Sequence, residues 1–512
     1  MKSTSFSTTL SKVNGSVVEN VRVQMKKDGK QADAISTPAF IATIGILVPI
    51  WLTVMLPSTI SYQFFKTLYQ KVVPPEEFRP SSPFDSGYQV TAEEAILPRS
   101  ERNYDLVVLG ATGFAGKLAV RHLAKTYGVN KQVKWAVAGR SKAKLEELKS
   151  TLATELGLPE LLDVDTIIVD TSIPSTLPNL VRNTKVVVTT AGPFWKYGSS
   201  VVEFCSKFGT HYADITGETA WVKTMMLRWQ DTARQTGAKI ISLSGHDCIP
   251  WDLSVSLLAD QLKNETGEDL VEVQCFDEAK SEASGGTLDT IMLLTSSSPP
   301  TGPSLDPFRQ RPDGTTHSNP VEGSIKMFPS PVTTPWDQQT TYGSPFFMSG
   351  VNLDVISWSQ ALRGGAPLKY SEVLIQPDFK TAFVSYFQLV VFLTGIFNPI
   401  TKYLLANFVL PKPGQGPSME YMEKSCFLSV TMLGIGSKGS RAMSTMYFPR
   451  DAGYLDTARM LAEAGLCMAL QEDDLPTNGG GFFSPGYGLG KVLLQRLTRT
   501  GTYFESSIEP NK

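Results

Sequence analysis

The chain has 512 residues, enough for two or three domains with substantial cores. Lys and Arg number 47 against 49 Asp and Glu, a net charge of -2, which argues against a protein that grips nucleic acid through a basic surface. Five scattered cysteines without a C-x-x-C, and four histidines without an H-E-x-x-H, argue against a disulfide framework and a dedicated metal site, and suit a reducing compartment.

Residues 1–33 are polar and read as loose, and "MKSTSFSTTLSKVNG" has no apolar core of the kind a cleavable signal needs. No charge occurs from 34 to 65, where "FIATIGILVPIWLTVMLP" is strongly apolar. That length reaches across a bilayer core, which takes roughly 20 helical residues. The alternative is a buried helix of a large protein, and Pro49 and Pro57 interrupt the run. "VVPPEEFRPSSPFDSG" then reads as a linker, so 1–103 is tail, apolar helix and linker.

Regular alternation starts at Tyr104. The strand-like runs "DLVVLG", "VKWAVAG", "DTIIVD", "KVVVTTAG", "THYADIT" and "AKIISLSG" are separated by amphipathic stretches at 117–127, 142–156, 199–208 and 218–235. Strands alternating with helices predict βαβ units and a parallel sheet over 104–245. A second α+β domain is expected over 246–450. "DLVEVQCFDEA" reads as a strand, 297–345 as loop, and "SCFLSVTMLGIG" with "RAMSTMYFPR" as an antiparallel pair. An uncharged run, "TAFVSYFQLVVFLTGIFNPIT", opens an apolar insert at 381–410, interrupted by Pro399. In 451–512, "GYLDTARMLAEAGLCMAL" reads as a helix with Tyr454, Ala458, Leu461 and Met468 near one face. The fold class is α/β: a Rossmann-type parallel sheet, a second mixed α+β domain and an N-terminal apolar segment.

Gly110, Gly113 and Gly116 lie where the first strand turns into a helix. Glycine permits the tight turn and close backbone approach, and the free N–H groups of the helix start favour an anion such as a pyrophosphate. Thr112 and Phe114 belong to the same turn. At the end of the second strand, where an NAD site usually has Asp or Glu, the chain has Arg140, Ser141 and nearby Lys144. A guanidinium and a hydroxyl match a 2′-phosphate, so NADP(H) is favoured over NAD(H). Ala191, Gly192 and Pro193, past the fourth strand, are expected along the cofactor towards the nicotinamide, with Phe194 and Trp195 as pocket wall or core.

These motifs carry a resemblance. "VVLGATGFAGKLAVRHL", "WAVAGRSKAKLEEL", "VVVTTAGPFWKYGSSVVEFCSKFGTHYADITGE", "SGHDCIPWDL" and "SGGTLDT", followed by "PKPGQGPSMEYMEKSCF" and "GGGFFSPGYGLGKVLLQRL", resemble the saccharopine dehydrogenase-like oxidoreductases from about Tyr104 to the C-terminus. That family also includes mycobacterial trans-acting enoyl reductases of glycolipid synthesis and animal members on lipid droplets. The resemblance implies a Rossmann domain, a second α/β domain and a C-terminal helix returning to the first. His246, Cys248 and Trp251 stand where the family usually has Phe, Ser and Ser.

Hydride transfer asks the protein for orientation and a proton source. "HYADITGE" offers His211, Tyr212, Asp214 and Glu218, and "GHDCIPWD" offers His246, Asp247 and Asp252. His246, Asp247 and Tyr212 are the catalytic candidates; the acids are equally suited to capping turns and helices. Among the Tyr-x-x-x-Lys pairs, Tyr62/Lys66 and Tyr127/Lys131 do not lie near the expected nicotinamide pocket. The expected activity is reduction of a lipid-linked double bond or carbonyl by an intracellular enzyme at a membrane or lipid-droplet surface. The alternatives are an amino-acid dehydrogenase of saccharopine type and a nucleotide-binding lipid-surface protein without catalysis. A saccharopine-type substrate would need cationic clamps, and Arg182, Arg228, Arg363 and Arg441 form no motif.

Overall fold

The structure is a computed structural model that describes residues 16–72, 80–91, 94, 96–246, 248–281, 306–311, 315–317, 320–326, 328–409, 412 and 414–511. Asp247 and the "SGGTLDT" motif lie outside the described residues.

Two helices come first, α1 (Ser16–Lys27) and α2 (Thr37–Tyr69). The expectation of a loose 1–33 fails over its described part. Val18, Val21 and Met25 recur at helical spacing along α1 and are buried against the second sheet. Arg22 pairs with Glu278 at 2.7 Å, and the buried Lys30 ammonium donates to the carbonyls of Glu423 and Cys426. Three apolar residues among charged ones are too short a stripe to stand out in the sequence.

The first sheet contains β1 (Tyr104–Leu109), β2 (Trp135–Gly139), β3 (Asp165–Ile168), β4 (Thr184–Thr189), β5 (His211–Asp214) and β6 (Lys239–Ile241), all parallel. Their order is 6-5-4-1-2-3, so the direction of winding reverses beside β1 and β4, where such sheets bind ligands. The helices α3 (Phe114–Tyr127) and α4 (Lys142–Leu156) pack on the face that shows Leu106, Val108 and Val137. The helices α5 (Ser199–Phe208) and α6 (Thr219–Thr236) cover the face that shows Val107, Leu109 and Tyr212. Phe194 and Trp195 belong to that second core, so they are packing residues.

From β6 the chain crosses through α7 (Ile249–Thr266) to a mixed sheet of eight strands. Its centre is β7 (Leu270–Lys280). The stretch 297–345, expected to be irregular, contributes β8 (Val321–Ile325), β9 (Ser330–Thr333) and β10 (Thr340–Ser344). Their Pro, Ser, Thr and Gly content hid them; β9 ends the sheet, where Pro331 is tolerated because an edge strand need not donate on both sides. After α8 (Ser349–Arg363), β11 (Leu368–Gln376) runs parallel to β7. It leads into α9 (Phe379–Ile396) and the short α10 (Pro399–Leu404). The expected hairpin is β12 (Phe427–Gly436) with β13 (Arg441–Phe448), β12 lying antiparallel to β7.

The C-terminal region serves both sheets. Helix α11 (Thr457–Leu470) packs on β1, β4 and β5, and is buried all round rather than on one face. There the Arg459 guanidinium is paired with Asp456 at 2.8 Å and donates to the Leu497 carbonyl. Next come β14 (Gly481–Phe482), which joins β6, and α12 (Pro485–Arg499). Last is β15 (Tyr503–Glu509), which leaves for the second sheet and pairs with β13.

The two apolar segments pack against each other. They run side by side in the same direction. Phe40 meets Phe383, Trp51 Nε1 donates to Thr394 Oγ1 at 3.1 Å and its ring lies edge-on to Phe387, and Asn398 Nδ2 donates to Ser58 Oγ at 3.2 Å. Both leave from the second sheet. Asp33 pairs with Lys280 at the end of β7, and α9 follows β11 directly. Both then meet the first domain, the second of them before it enters β12. The Ser82 amide donates to the Lys196 carbonyl, and Gly416 lies against the Phe114 ring.

Candidate functional site

The turn after β1 is built by glycine at two positions. Gly110 has φ +80°, and a Cβ there would fall 2.9 Å from the Ala191 nitrogen. A Cβ on Gly116 would fall 2.2 Å from the Gly110 carbonyl oxygen, so only glycine lets α3 start this close to β1. That oxygen accepts from the Gly113 amide at 3.0 Å and the Thr190 hydroxyl at 3.1 Å. Gly113 differs: its Cβ direction meets only the Gly110 oxygen, at 3.3 Å, leaving the helix start open on the outer side. Thr112 and Phe114 flank this opening, half-buried, with Phe114 edge-on to Tyr454 at 5.4 Å. The arrangement fits a dinucleotide pyrophosphate on the first-turn amides of α3.

Arg140 and Ser141 follow β2. Arg140 is exposed, with its guanidinium 6.0 Å from the centre of the Tyr197 ring. The Asp170 carboxyl, beyond β3, is held below its usual range first by the Ser172 hydroxyl and more weakly by Arg140. Ser141 caps α4 by accepting the Lys144 amide at 3.4 Å, which leaves its hydroxyl at the lip of the same edge. Tyr197 and Asp170 are additions that sequence reasoning missed; "IIVD" marked the strand end but not its neighbour across the sheet. A groove of about 490 Å³ adjoins the turn, lined by Phe114, Lys117, Lys144, Leu148, Met419 and Met422.

Ala191, Gly192 and Pro193 lie at the end of β4 beside Gly110. Glu218 fixes this segment from behind, accepting the Phe194 and Trp195 amides at 2.8 and 2.7 Å. Burial pushes its carboxyl up to about 7 against those two bonds. Asp214 does the same for the next loop. It accepts the Thr216 and Leu243 amides and the Ser242 hydroxyl, and burial raises it to about 6. Asp252 accepts the Gly486 amide and the Ser359 hydroxyl, tying α7 to α12 and α8. These three acids support the site and do not line it.

The first four residues of "HYADITGE" are β5 itself. His211 lies at the opposite end of the sheet from the cofactor edge. It accepts the Lys239 amide at 2.9 Å, faces Glu472 at 3.2 Å, and is pushed down to about 4 by burial. Tyr212 is wholly buried in the core against Val107 and Leu109, and burial holds its hydroxyl well above its usual range. A hydroxyl enclosed by the core is no proton donor to a substrate, so Tyr212 leaves the catalytic set. Asp247 lies outside the described residues.

His246 remains. It stands past β6 at the cofactor edge, half-buried, its amide donating to Thr457 Oγ1 at 3.0 Å. Its ring meets the edges of Trp251 at 5.3 Å and Phe346 at 6.1 Å. It also lies within electrostatic reach of Glu372, on β11 of the second sheet. His246 therefore joins the end of the parallel sheet to the inner face of the mixed one.

A reversing parallel sheet with this turn, and a second sheet closing over its carboxyl edge, define a dinucleotide-dependent enzyme of the Rossmann class. Residues 106–241 match the saccharopine dehydrogenase NADP binding domain. The chain is 32% identical over 425 residues to the trans-acting enoyl reductase of Mycobacterium bovis, covering 78% of this chain and 97% of that protein. It is 30% identical over 422 residues to that of Mycobacterium ulcerans, covering 79% and 98%. The chain belongs to the saccharopine dehydrogenase-like family of NAD(P)-dependent oxidoreductases. Saccharopine dehydrogenase (L-Glu forming) from Saccharomyces cerevisiae aligns over 79% of this chain and 99% of its own, at 10% identity and a TM-score of 0.42. That score adds nothing to the fold read from the two sheets.

Proposed function

We propose that the protein is an NADP(H)-dependent reductase of a lipid-linked carbon–carbon double bond or carbonyl, working at a membrane or lipid-droplet surface. The observation that carries this reading is α2. Its 33 residues include a stretch of mean hydropathy 2.3 that is only 6% buried, too exposed for a core helix. Ile41, Ile46, Leu52, Val54, Ile60, Phe64 and Phe65 are exposed along it, and Ile400, Tyr403 and Phe408 continue the surface beside it. A lipid layer covers such a surface at no cost in exposed backbone, because helices satisfy their own polar groups. The name of the mycobacterial relatives supports an enoyl group as the acceptor.

NADPH, when bound, supplies the hydride. The chain's own residues orient and protonate: the α3 amides hold the pyrophosphate, the 191–193 segment lies along the nicotinamide end, and His246 gives a ring proton to the carbon or oxygen that develops negative charge. An amino-acid substrate is disfavoured because two of the available guanidiniums are otherwise engaged. Arg363 pairs with Asp260, and Arg228 lies over Phe84 at 5.5 Å.

The test is NADPH oxidation by the full chain in phospholipid nanodiscs, against trans-2-enoyl thioesters, lipid carbonyls and amino acids. Turnover of an enoyl or carbonyl lipid that falls about 100-fold in His246→Asn is expected. Turnover confined to amino acids would replace the reading by the dehydrogenase one, and NADPH binding without any turnover by the non-catalytic one. The cofactor preference has its own measurement. Arg140→Asp replaces a guanidinium with a repelling carboxylate at the 2′-phosphate, so calorimetric affinity should fall about 100-fold for NADPH and hardly at all for NADH. Equal losses would remove Arg140 from that role.

A further inference from the structure

Helix α2 is long enough to cross a bilayer, yet its links to the rest of the chain oppose a crossing. Its 33 residues make about 50 Å of helix, against roughly 30 Å of hydrocarbon. The start of α2 is fixed to the second sheet. The Ile35 amide donates to Thr381 Oγ1 at 3.0 Å, where α9 begins, and Asp33 pairs with Lys280 on β7. Past the end of α2 the chain is fixed to the first domain. Ser82 is wholly buried there, its amide donating to the Lys196 carbonyl at 2.9 Å and its hydroxyl accepting the Ser200 amide at 2.7 Å. The second apolar run ends in the same way, with Gly414 in the groove beside Phe114 and Gly416 against the Phe114 ring.

The two sheets cannot stand on opposite sides of a membrane. Leu106, Val108 and Val137 of the first share one core with Val273, Val430 and Met432 of the second. A crossing would therefore have to be undone by the links that follow the helices. From Val409 to Gly414 the chain advances five residues, Lys412 among them. Fully extended, they reach about 18 Å, short of the roughly 30 Å to be recrossed. From Val72 to Ser82 it advances ten residues, with Glu76, Glu77 and Arg79 among them. These reach about 35 Å, but only by drawing three charges and open backbone through hydrocarbon.

The polar side chains along the helices are nonetheless satisfied as hydrocarbon demands. The hydroxyls of Thr43, Thr53 and Ser58 donate to the carbonyls of Ala39, Pro49 and Met55 in their own helix. Trp51 and Thr59 both bond to Thr394 of α9. Thr394 and Thr401 in turn donate to the carbonyls of Val390 and Gly395. Groups bonded within the pair ask nothing of water. We propose that α2 and α9 lie together along the plane of one phospholipid leaflet, with both ends of each helix emerging on the side that carries the sheets. This rests on the membrane reading above and adds a direction to it: any lipid the site accepts comes from the leaflet that the helices occupy.

The five native cysteines are buried, so single added cysteines report alone. Ala34→Cys and Lys71→Cys lie at exposed positions at the two ends of α2. Each full-length variant is added from outside to sealed phosphatidylcholine liposomes and floated. A membrane-impermeant maleimide should label both before the liposomes are opened. For depth, Ile46→Cys and Phe64→Cys, at positions 58% and 59% exposed, carry a fluorophore quenched by brominated lipids. Along the plane their depths should differ by no more than about 10 Å, the width of a helix, whereas a crossing helix separates them by about 27 Å. Labelling of Lys71→Cys only after detergent, or the larger depth difference, would overturn the in-plane arrangement and leave the membrane reading standing. Protein that does not float, as monomer or as dimer, would overturn both.

Discussion

Gly116→Val should abolish the cofactor turn, whereas Gly113→Val should abolish only what binds to it. At 116 the new Cβ would lie 2.2 Å from the Gly110 oxygen and 2.9 Å from the Ala111 Cα, both backbone atoms that cannot swing aside. Overpacking against backbone costs about 3 kcal/mol or more, so a clear fall in Tm is expected along with lost NADPH binding. At 113 the tightest contact is 3.3 Å, so the fold should survive with a small change in Tm. The added methyls would instead occupy the approach to the α3 amides, and NADPH affinity should fall about 100-fold or more. Calorimetry and thermal melts on both variants check this. Normal NADPH affinity in Gly113→Val would put the pyrophosphate somewhere else.

Charge on the lipid-facing side should detach the protein from membranes without touching the cofactor. Deleting the first 75 residues would be a poor experiment, because α1 covers Phe276 and Leu433 of the second sheet and Lys30 binds two of its neighbouring carbonyls. Ile46, Leu52 and Ile400 are better sites, at 58%, 51% and 71% exposure. Lysine in place of all three breaks no packing. In a helix buried in hydrocarbon each such change costs about 2.5 kcal/mol, so flotation with phosphatidylcholine liposomes should be lost while NADPH affinity stays within about twofold. A triple variant that floats like the wild type would refute insertion of this surface.

The local parts of the site were legible in the sequence, and the parts that depend on distant strands were not. The turn 110–116 was readable because its strand, its glycines and its helix are contiguous, and so was the antiparallel pair β12 and β13. Tyr212 was misjudged because "THYADIT" shows a strand but not which of its residues end it. Here β5 stops at Asp214, which leaves Tyr212 facing the core. The acids near His246 were invisible for a different reason. Asp277 and Glu372 come from strands separated, among the described residues, by α8 and three other strands, and only their pairing brings them together. The short strands β8, β9 and β10 lack an alternating pattern because only one or two residues of each are buried.

The paired crossings of α2 and α9 also govern how the molecule can move. Each leaves the mixed sheet and passes the first domain at its far end, α9 before the chain returns to β12, and the two are fastened together at Trp51 with Thr394 and at Ser58 with Asn398. A rotation that parts the sheets must be one that both stays tolerate at once. An axis running beside them does so, because points near an axis barely travel. Any other axis would shear one helix along the other and strip those bonds. The chain also crosses between the sheets through α7 and through α12 to β15, so the fastened pair is one of several ties that resist parting the two sheets.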